Sequence, residues 1–408
     1  MQAQNTDPNF KIPPALRHRS LNRRQAFNSP SGTAPAGPAS LEPPNPPKRS
    51  RFHFLDPRRK WSSLRTRHKV IVIFAALLVV SAGGLISRSL LSGGPSPSID
   101  INKNEEKITT VQSPLTGVQV DPGLAKRPVT GIMIENSLEA RPQSGIQDAG
   151  VVFEAIAEGG ITRFLSLYQE GRPGYIGPVR SLRPYYIDWA ASFDAPIAHV
   201  GGSPDALAQI RNGGKDLDQF FNGGSYWREA GRTAPHNVYT SFDKMDELNK
   251  SKGYTTSTFI PWPRKADEKL AVPSAKTIDL SISSANFNVH YDYGATTNNY
   301  ARSQGGAGHG AVITPNDKTT VPIVPKVVVV MIMPFSIVDS SGHSGYGTQG
   351  SGNAYVFQDG GVTTGTWTKA DKASQIVFKD TADQPIKLNA GLTWVTALKN
   401  DGQVKYSP

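Results

Sequence analysis

The chain has 408 residues, 44 Lys and Arg against 33 Asp and Glu, a net charge of +11 and no cysteine. Without cysteine there is no disulfide, no thiolate metal site and no lipid-modified cysteine. The first 69 residues hold 14 Lys and Arg against Asp7, Glu42 and Asp56, so the rest of the chain is neutral. That excludes a main domain with a dominant basic surface.

Residues 1–69 also contain 11 of the 32 prolines. Such a composition buries too little apolar surface to offset chain entropy and predicts a disordered basic tail. Phe52, Phe54 and Trp61 interleave with its charges. No nucleic-acid motif accompanies them, and each Lys or Arg gains about 1 kcal/mol near anionic lipid, so lipid rather than nucleic acid is the expected partner. Val70–Ile86 follows as 17 uncharged residues, VIVIFAALLVVSAGGLI. A helix of that length rises about 26 Å, short of a ~30 Å hydrocarbon core unless Lys69 and Arg88 snorkel. The expectation is a single transmembrane helix over 70–91. Six basic residues between Arg58 and Lys69 place the N-terminus in the cytoplasm and the main domain outside. Ser81-Ala82-Gly83-Gly84 leaves a cleaved signal peptide as the rival, but the long leader favours an uncleaved anchor.

A linker over 92–111 should give way to an α/β (α+β) domain over 112–270 and a smaller β-rich domain over 271–408. Val129–Glu135, Val151–Ile156, Ile161–Tyr168 and Ile197–Val200 read as strands. Ser181–Phe193 and Pro204–Ile210 read as helices, with prolines suited to first turns. Further on, Phe287, Val289, Tyr291 and Tyr293 alternate with polar residues, as in a half-buried strand. Residues 294–324 read as a long polar loop, Lys326–Met333 as an apolar strand, and Gln358-Asp359-Gly360-Gly361 as a hairpin turn. Ile376–Phe378 and Leu392–Val395 read as strands.

Residues 151–165, VVFEAIAEGGITRFL, suggest a hairpin closed by Gly159-Gly160. In its simplest register Glu154, Glu158 and Arg163 share one face, with the guanidinium diagonal to both carboxylates. Charges in so apolar a pair are costly unless partnered. Arg180 and Arg183 stand three apart at a helix start, where backbone N–H groups favour an anion. His199 ends a buried strand before Gly201-Gly202-Ser203, the place where open α/β sheets hold ligands. Arg228 and His236 form a further polar group. The candidate ligand-binding residues are Glu154, Glu158, Arg163, Arg180, Arg183, His199, Ser203, Arg228 and His236. No paired-histidine metal motif, phosphate loop, dinucleotide fingerprint or nucleophile elbow is present, so neither metal nor cofactor is expected.

These stretches carry a resemblance. RPQSGIQDA from Arg141, EAIAEGGITR from Glu154, GPVRSLR from Gly177, HVGGS from His199 and APHN from Ala234 resemble the YerB-like family of bacterial lipoproteins. Gly365-Thr366-Trp367 and the run from Leu388 to Val395 resemble that family's second domain. The resemblance implies an extracytoplasmic α/β domain followed by a β-rich one, and no established activity. This chain departs in lacking the lipidated cysteine, for which a membrane span would substitute. The leading expectation is an anchored, outward-facing protein that binds an anionic envelope component, either a wall polymer or a phosphate-bearing lipid precursor. The alternatives are an envelope enzyme, phosphotransferase-like or glycan-acting, and a structural or partner-docking protein.

Overall fold

The computed structural model describes residues 109–317 and 319–408; the tail, the span and most of the linker expected from the sequence lie outside them. Among the described residues no helix is long and apolar enough to cross a membrane. The first half supplies β1 (Thr130–Glu135), β2 (Val151–Glu158), β3 (Ile161–Tyr168), α1 (Pro184–Ala191), β4 (Ile197–His199), α2 (Pro204–Arg211), β5 (Asp216–Asp218) and α3 (Phe242–Ser251). The second supplies β6 (Thr277–Leu280), β7 (Val289–Gly294), β8 (Asn299–Gln304), β9 (Val327–Ile332) and β10 (Gly350–Gln358). It continues with β11 (Gly361–Lys369), β12 (Val377–Asp380), β13 (Thr393–Leu398) and β14 (Val404–Ser407). The described chain is thus β-rich with few helices.

Ten strands from both halves form one sheet in the order β12-β11-β10-β9-β13-β2-β3-β1-β4-β5. β9, β13, β2, β1, β4 and β5 run in one direction, and β3 is antiparallel to its two neighbours. A sheet covered on both faces needs strands that are apolar throughout, which is why VVVVMI works as β9. On one face Phe153, Leu165 and Met331 pack under Tyr186 and Trp189 of α1 and Ile210 of α2. On the other, Phe164, Val330 and Trp394 meet Met245 of α3 and Ile278, Tyr291 and Tyr300 of a second sheet. That sheet is antiparallel, with Ala307–Gly308, β8, β7, β6 and β14 in order.

Two expectations need correction. Residues 294–324 are no loop: β8 lies there, and Gly310–Val312 pairs with both Val321–Pro322 and Gln143–Ser144. The inward side of β8 is Tyr300, Arg302 and Gln304, so the apolar alternation that marks a strand is missing. The second concerns the β2–β3 hairpin. Gly159 and Gly160 adopt φ of 56° and 80°, the left-handed values a two-residue turn requires. A bulge between Ile156 and Glu158 then sets Ile156 opposite Thr162, Ala155 opposite Arg163 and Glu154 opposite Phe164. This one-residue slip sends Glu154 and Arg163 to opposite faces.

Candidate functional site

The bulge divides the expected cluster. Glu154 points between the two sheets, where it accepts from Arg302 at 2.8 Å, Trp394 Nε1 at 3.0 Å and Thr162 Oγ1 at 3.2 Å. Both members of the Glu154–Arg302 pair are fully buried. Arg302 also donates to His309 Nδ1, whose Nε2 faces Gln143 Oε1 at 3.1 Å. Burial and the nearby Arg302 and Arg141 guanidiniums hold the His309 pKa well below the ordinary histidine value. This centre is sealed. Glu154 and Glu158, on different faces, cannot flank one glycosidic bond as the two carboxyls of a glycan hydrolase must.

On the helix-bearing face the bulge brings Glu158 beside Arg163. Its carboxylate accepts from Arg163 Nη2 at 2.7 Å and Arg183 Nη2 at 2.5 Å. The other terminal nitrogens donate to the carbonyls of Ser181 and Leu182, both at 2.7 Å. Burial works against ionisation of Glu158, but the two guanidiniums outweigh it and hold its pKa below the usual range. The folded value lies under the unfolded ~4.3, so the stabilisation is full above that pH and is lost as pH falls through the folded value. Glu158→Gln is expected to lower stability at pH 7 and to flatten the acid limb below about pH 4.3, read by thermal unfolding across pH. An acid limb unchanged by the substitution would count against this assignment.

Glu135, unnoticed in the sequence, ends β1 as Glu158 ends β2. It pairs with Arg180 Nε at 3.2 Å and His236 Nδ1 at 3.0 Å. Glu158, Arg163, Arg180, Arg183 and His236 therefore gather at one end of the sheet, with Glu135 as the missing counter-charge. Arg228 is exposed and holds only the Asn237 side-chain oxygen, at 2.8 Å. His199 is fully buried between the Gly201 carbonyl at 2.8 Å and Asp216 at 3.1 Å. Asp218 completes that turn by accepting from Gly201 N. His199 thus braces the loop and does not line an opening.

Next to Arg183 lies a cavity of about 370 Å³ bounded by the first turns of α1 and α2 and by Ser344–Tyr346. Arg183, Asp188, Ser203, Asp205, Asp339, His343, Ser344, Tyr346 and Lys372 are among its walls. It lies beside the carboxyl ends of β2, through Arg183 and His343, and of β4, through Ser203, where parallel strands present ligand sites. Ser203 caps α2 by accepting from Ala206 N. No side chain caps α1, whose N-cap position is Arg183 itself. Pro184 has no N–H, and Tyr186 N donates to the Arg183 carbonyl. Of the first turn, only the Tyr185 N–H, with the adjoining guanidinium, favours negative charge there. Asp188 is committed to Gln209 Nε2 at 2.7 Å and Thr348 Oγ1 at 2.6 Å. The aromatic wall is Tyr185, whose ring meets Tyr346 edge-on at 4.9 Å. His343, Ser344 and Tyr346 sit in a glycine-rich stretch with no sequence periodicity, and only the fold, which sets His343 against Glu158 and Tyr346 against Tyr185, reveals them.

A mixed sheet built from two sequence segments, backed by helices and by a second sheet, with a polar cavity at its strand ends, defines a two-domain β-rich protein. Residues 115–255 match the N-terminal domain, and residues 278–395 the C-terminal domain, of the DUF3048 family of proteins of unknown function. A Bacillus subtilis (strain 168) protein described as "Putative lipoprotein YerB" is 31% identical over 280 residues, spanning 64% of this chain and 79% of its own. The crystal structure of YerB protein from Bacillus subtilis aligns with a TM-score of 0.65 at 28% identity, covering 73% of this chain and 100% of the other. The chain belongs to this family, as its motifs imply.

Proposed function

We propose that the chain is a membrane-tethered, extracytoplasmic binding protein whose cavity takes an anionic group of a cell-envelope component. The tethering half draws on the lipoprotein description of the Bacillus subtilis relative and on the apolar run Val70–Ile86 behind its basic leader. The ligand half draws on one observation: the start of α1, which no side chain caps, with the buried Arg183 in the cavity wall beside it. Glu158 holds two guanidiniums, so the group remains one positive charge in excess. Asp205 on the same walls suits a hydroxyl or amine donor of a larger ligand. Together with Asp188 and Asp339, which are held by Gln209, Thr348 and His343, it would repel a bare polyanion. A wall polymer or a phosphate-bearing lipid precursor carries both kinds of group.

The test is a thermal-shift series on the detergent-solubilised full chain with wall fragments and with polyprenyl phosphate. A charge-assisted contact of about 1.5–3 kcal/mol makes Arg183→Ala about 10- to 100-fold weaker, with Arg183→Lys in between. Equal shifts for wild type and Arg183→Ala would refute the assignment of this cavity.

A further inference from the structure

Beyond β5 the chain makes a loop whose tip is Phe220-Phe221, exposed by 71% and 68%. Two adjacent phenylalanines this open on the surface of a folded domain mark a contact with something apolar. The loop is not loosely hung. Asp218 Oδ1 accepts from Phe220 N at 3.2 Å, and Asn222 Nδ2 donates to the Asp218 carbonyl at 2.8 Å. Phe220 lies against Gly201, where a Cβ would come within 3.2 Å of its ring. Gly201 has a φ of +59°, so this close approach and the left-handed backbone both call for glycine.

The charged groups around the loop balance in number, but they are unequally paired. The Arg211 guanidinium sits 5.1 Å from the centroid of Phe221. Lys244 Nζ holds the Gly224 carbonyl at 2.9 Å, and Arg228 is exposed with an amide as its partner. Asp216 and Asp218 are held by His199 and Arg211, and Glu229 lies beside Trp227. That leaves Lys244 and Arg228 as the cations without an acidic partner among the described residues of this loop's surroundings. Aromatic rings flanked by Arg and Lys match the boundary between acyl chains and anionic headgroups.

We propose that Phe220-Phe221 inserts into the outer surface of the bilayer that carries this chain's own anchor. The inference rests on the tethering reading above. Chain length allows it. The described chain begins at the opposite end of the sheet, where Leu115 and Thr116 pack on Gly150 just before β2. The roughly 17 residues between span and domain reach about 56 Å when extended, whereas eight-residue β2 covers about 26 Å. Docked in this way, the domain turns the carboxyl ends of its strands to the membrane. The cavity wall at Ser203 follows Gly201 by two residues, so the site then faces lipid headgroups.

The cysteine-free chain permits a clean test. Full-length Asn222→Cys and Gln119→Cys, labelled with an environment-sensitive dye, are reconstituted into vesicles of phosphatidylglycerol and phosphatidylcholine containing doxyl-lipid. Quenching at residue 222 at least threefold stronger than at 119 is expected. Phe220→Ser with Phe221→Ser should abolish the difference and leave the unfolding temperature unchanged. Equal quenching at the two sites in membrane-inserted protein overturns the docking and leaves tethering intact. Failure of the chain to partition with vesicles at all overturns tethering instead. Copper-promoted crosslinking of two 222 cysteines without quenching would assign the patch to a second copy and also overturn the proposal.

Discussion

Glu154→Gln is expected to lower the unfolding free energy by about 3–5 kcal/mol, the cost of leaving one member of a buried ion pair alone. For a domain of this size that is a fall in Tm of roughly 10 °C. Glu154 and Arg302 are fully buried at 2.8 Å, and the Arg302 guanidinium lies 4.4 Å from the centroid of Trp394. Arg302→Met should cost a similar amount, because it strands the carboxylate with only the neutral Trp394 N–H and Thr162 hydroxyl as donors. Replacing both, Glu154→Leu with Arg302→Met, should recover most of the loss, since desolvation of the two charges offsets much of their attraction. Intrinsic tryptophan fluorescence during thermal unfolding reads the result, since Trp189, Trp262, Trp367 and Trp394 are all buried in the fold. A single substitution costing less than 1 kcal/mol would remove this pair from the forces holding the fold.

The pair matters for the site because it joins the two family segments. Glu154 belongs to the first and Arg302 to the second, and Gln143 with His309 repeats the connection. The cavity is assembled across the same divide, with Arg183 and Ser203 from one segment and Ser344 and Tyr346 from the other. Loosening the joint should therefore weaken ligand binding through residues far from the ligand.

The sequence exposes some of this and hides the rest for physical reasons. Strands β1, β2, β3 and β9 are legible because burial on both faces leaves mostly apolar runs, interrupted in β2 and β3 at Glu154, Glu158, Thr162, Arg163 and Ser166. The Gly159-Gly160 turn is legible from its dipeptide, but the bulge at Ala157 is not, since no residue type demands one there. That single inserted residue decides which carboxylate meets Arg163. Arg302 and His309 lie in a segment that reads as polar loop. Their burial depends on Glu154, 148 positions away for Arg302, and a pairing of that range leaves no local pattern. Arg183 and Ser203 were visible through helix-start chemistry, and both do border the cavity.

His309 gives the second large effect, a loss of stability in mild acid. Buried against Arg302 and Arg141, its ring stays neutral in the folded protein well below the ordinary histidine pKa. The unfolded chain takes up that proton near pH 6.5. Stability therefore falls as pH drops below that value, by up to about 1.4 kcal/mol per pH unit. His290 works in the opposite sense: burial lowers its pKa, but Asp279 and Asp292 outweigh it and raise the value. Its contribution is present below the unfolded value and lost as pH rises, and at an exposed site solvent keeps it small. Urea unfolding at pH 7, 6 and 5 should show a steep decline in wild type and a shallow one in His309→Gln. Glutamine suits the site, since its oxygen can accept from Arg302 while its amide donates to Gln143. Glu158 cannot mimic the effect, because its stabilisation is lost only below about pH 4.3. Parallel declines in wild type and variant would mean that His309 is already charged in the fold, and the neutral, sealed centre drawn around Glu154 and Arg302 would have to be abandoned.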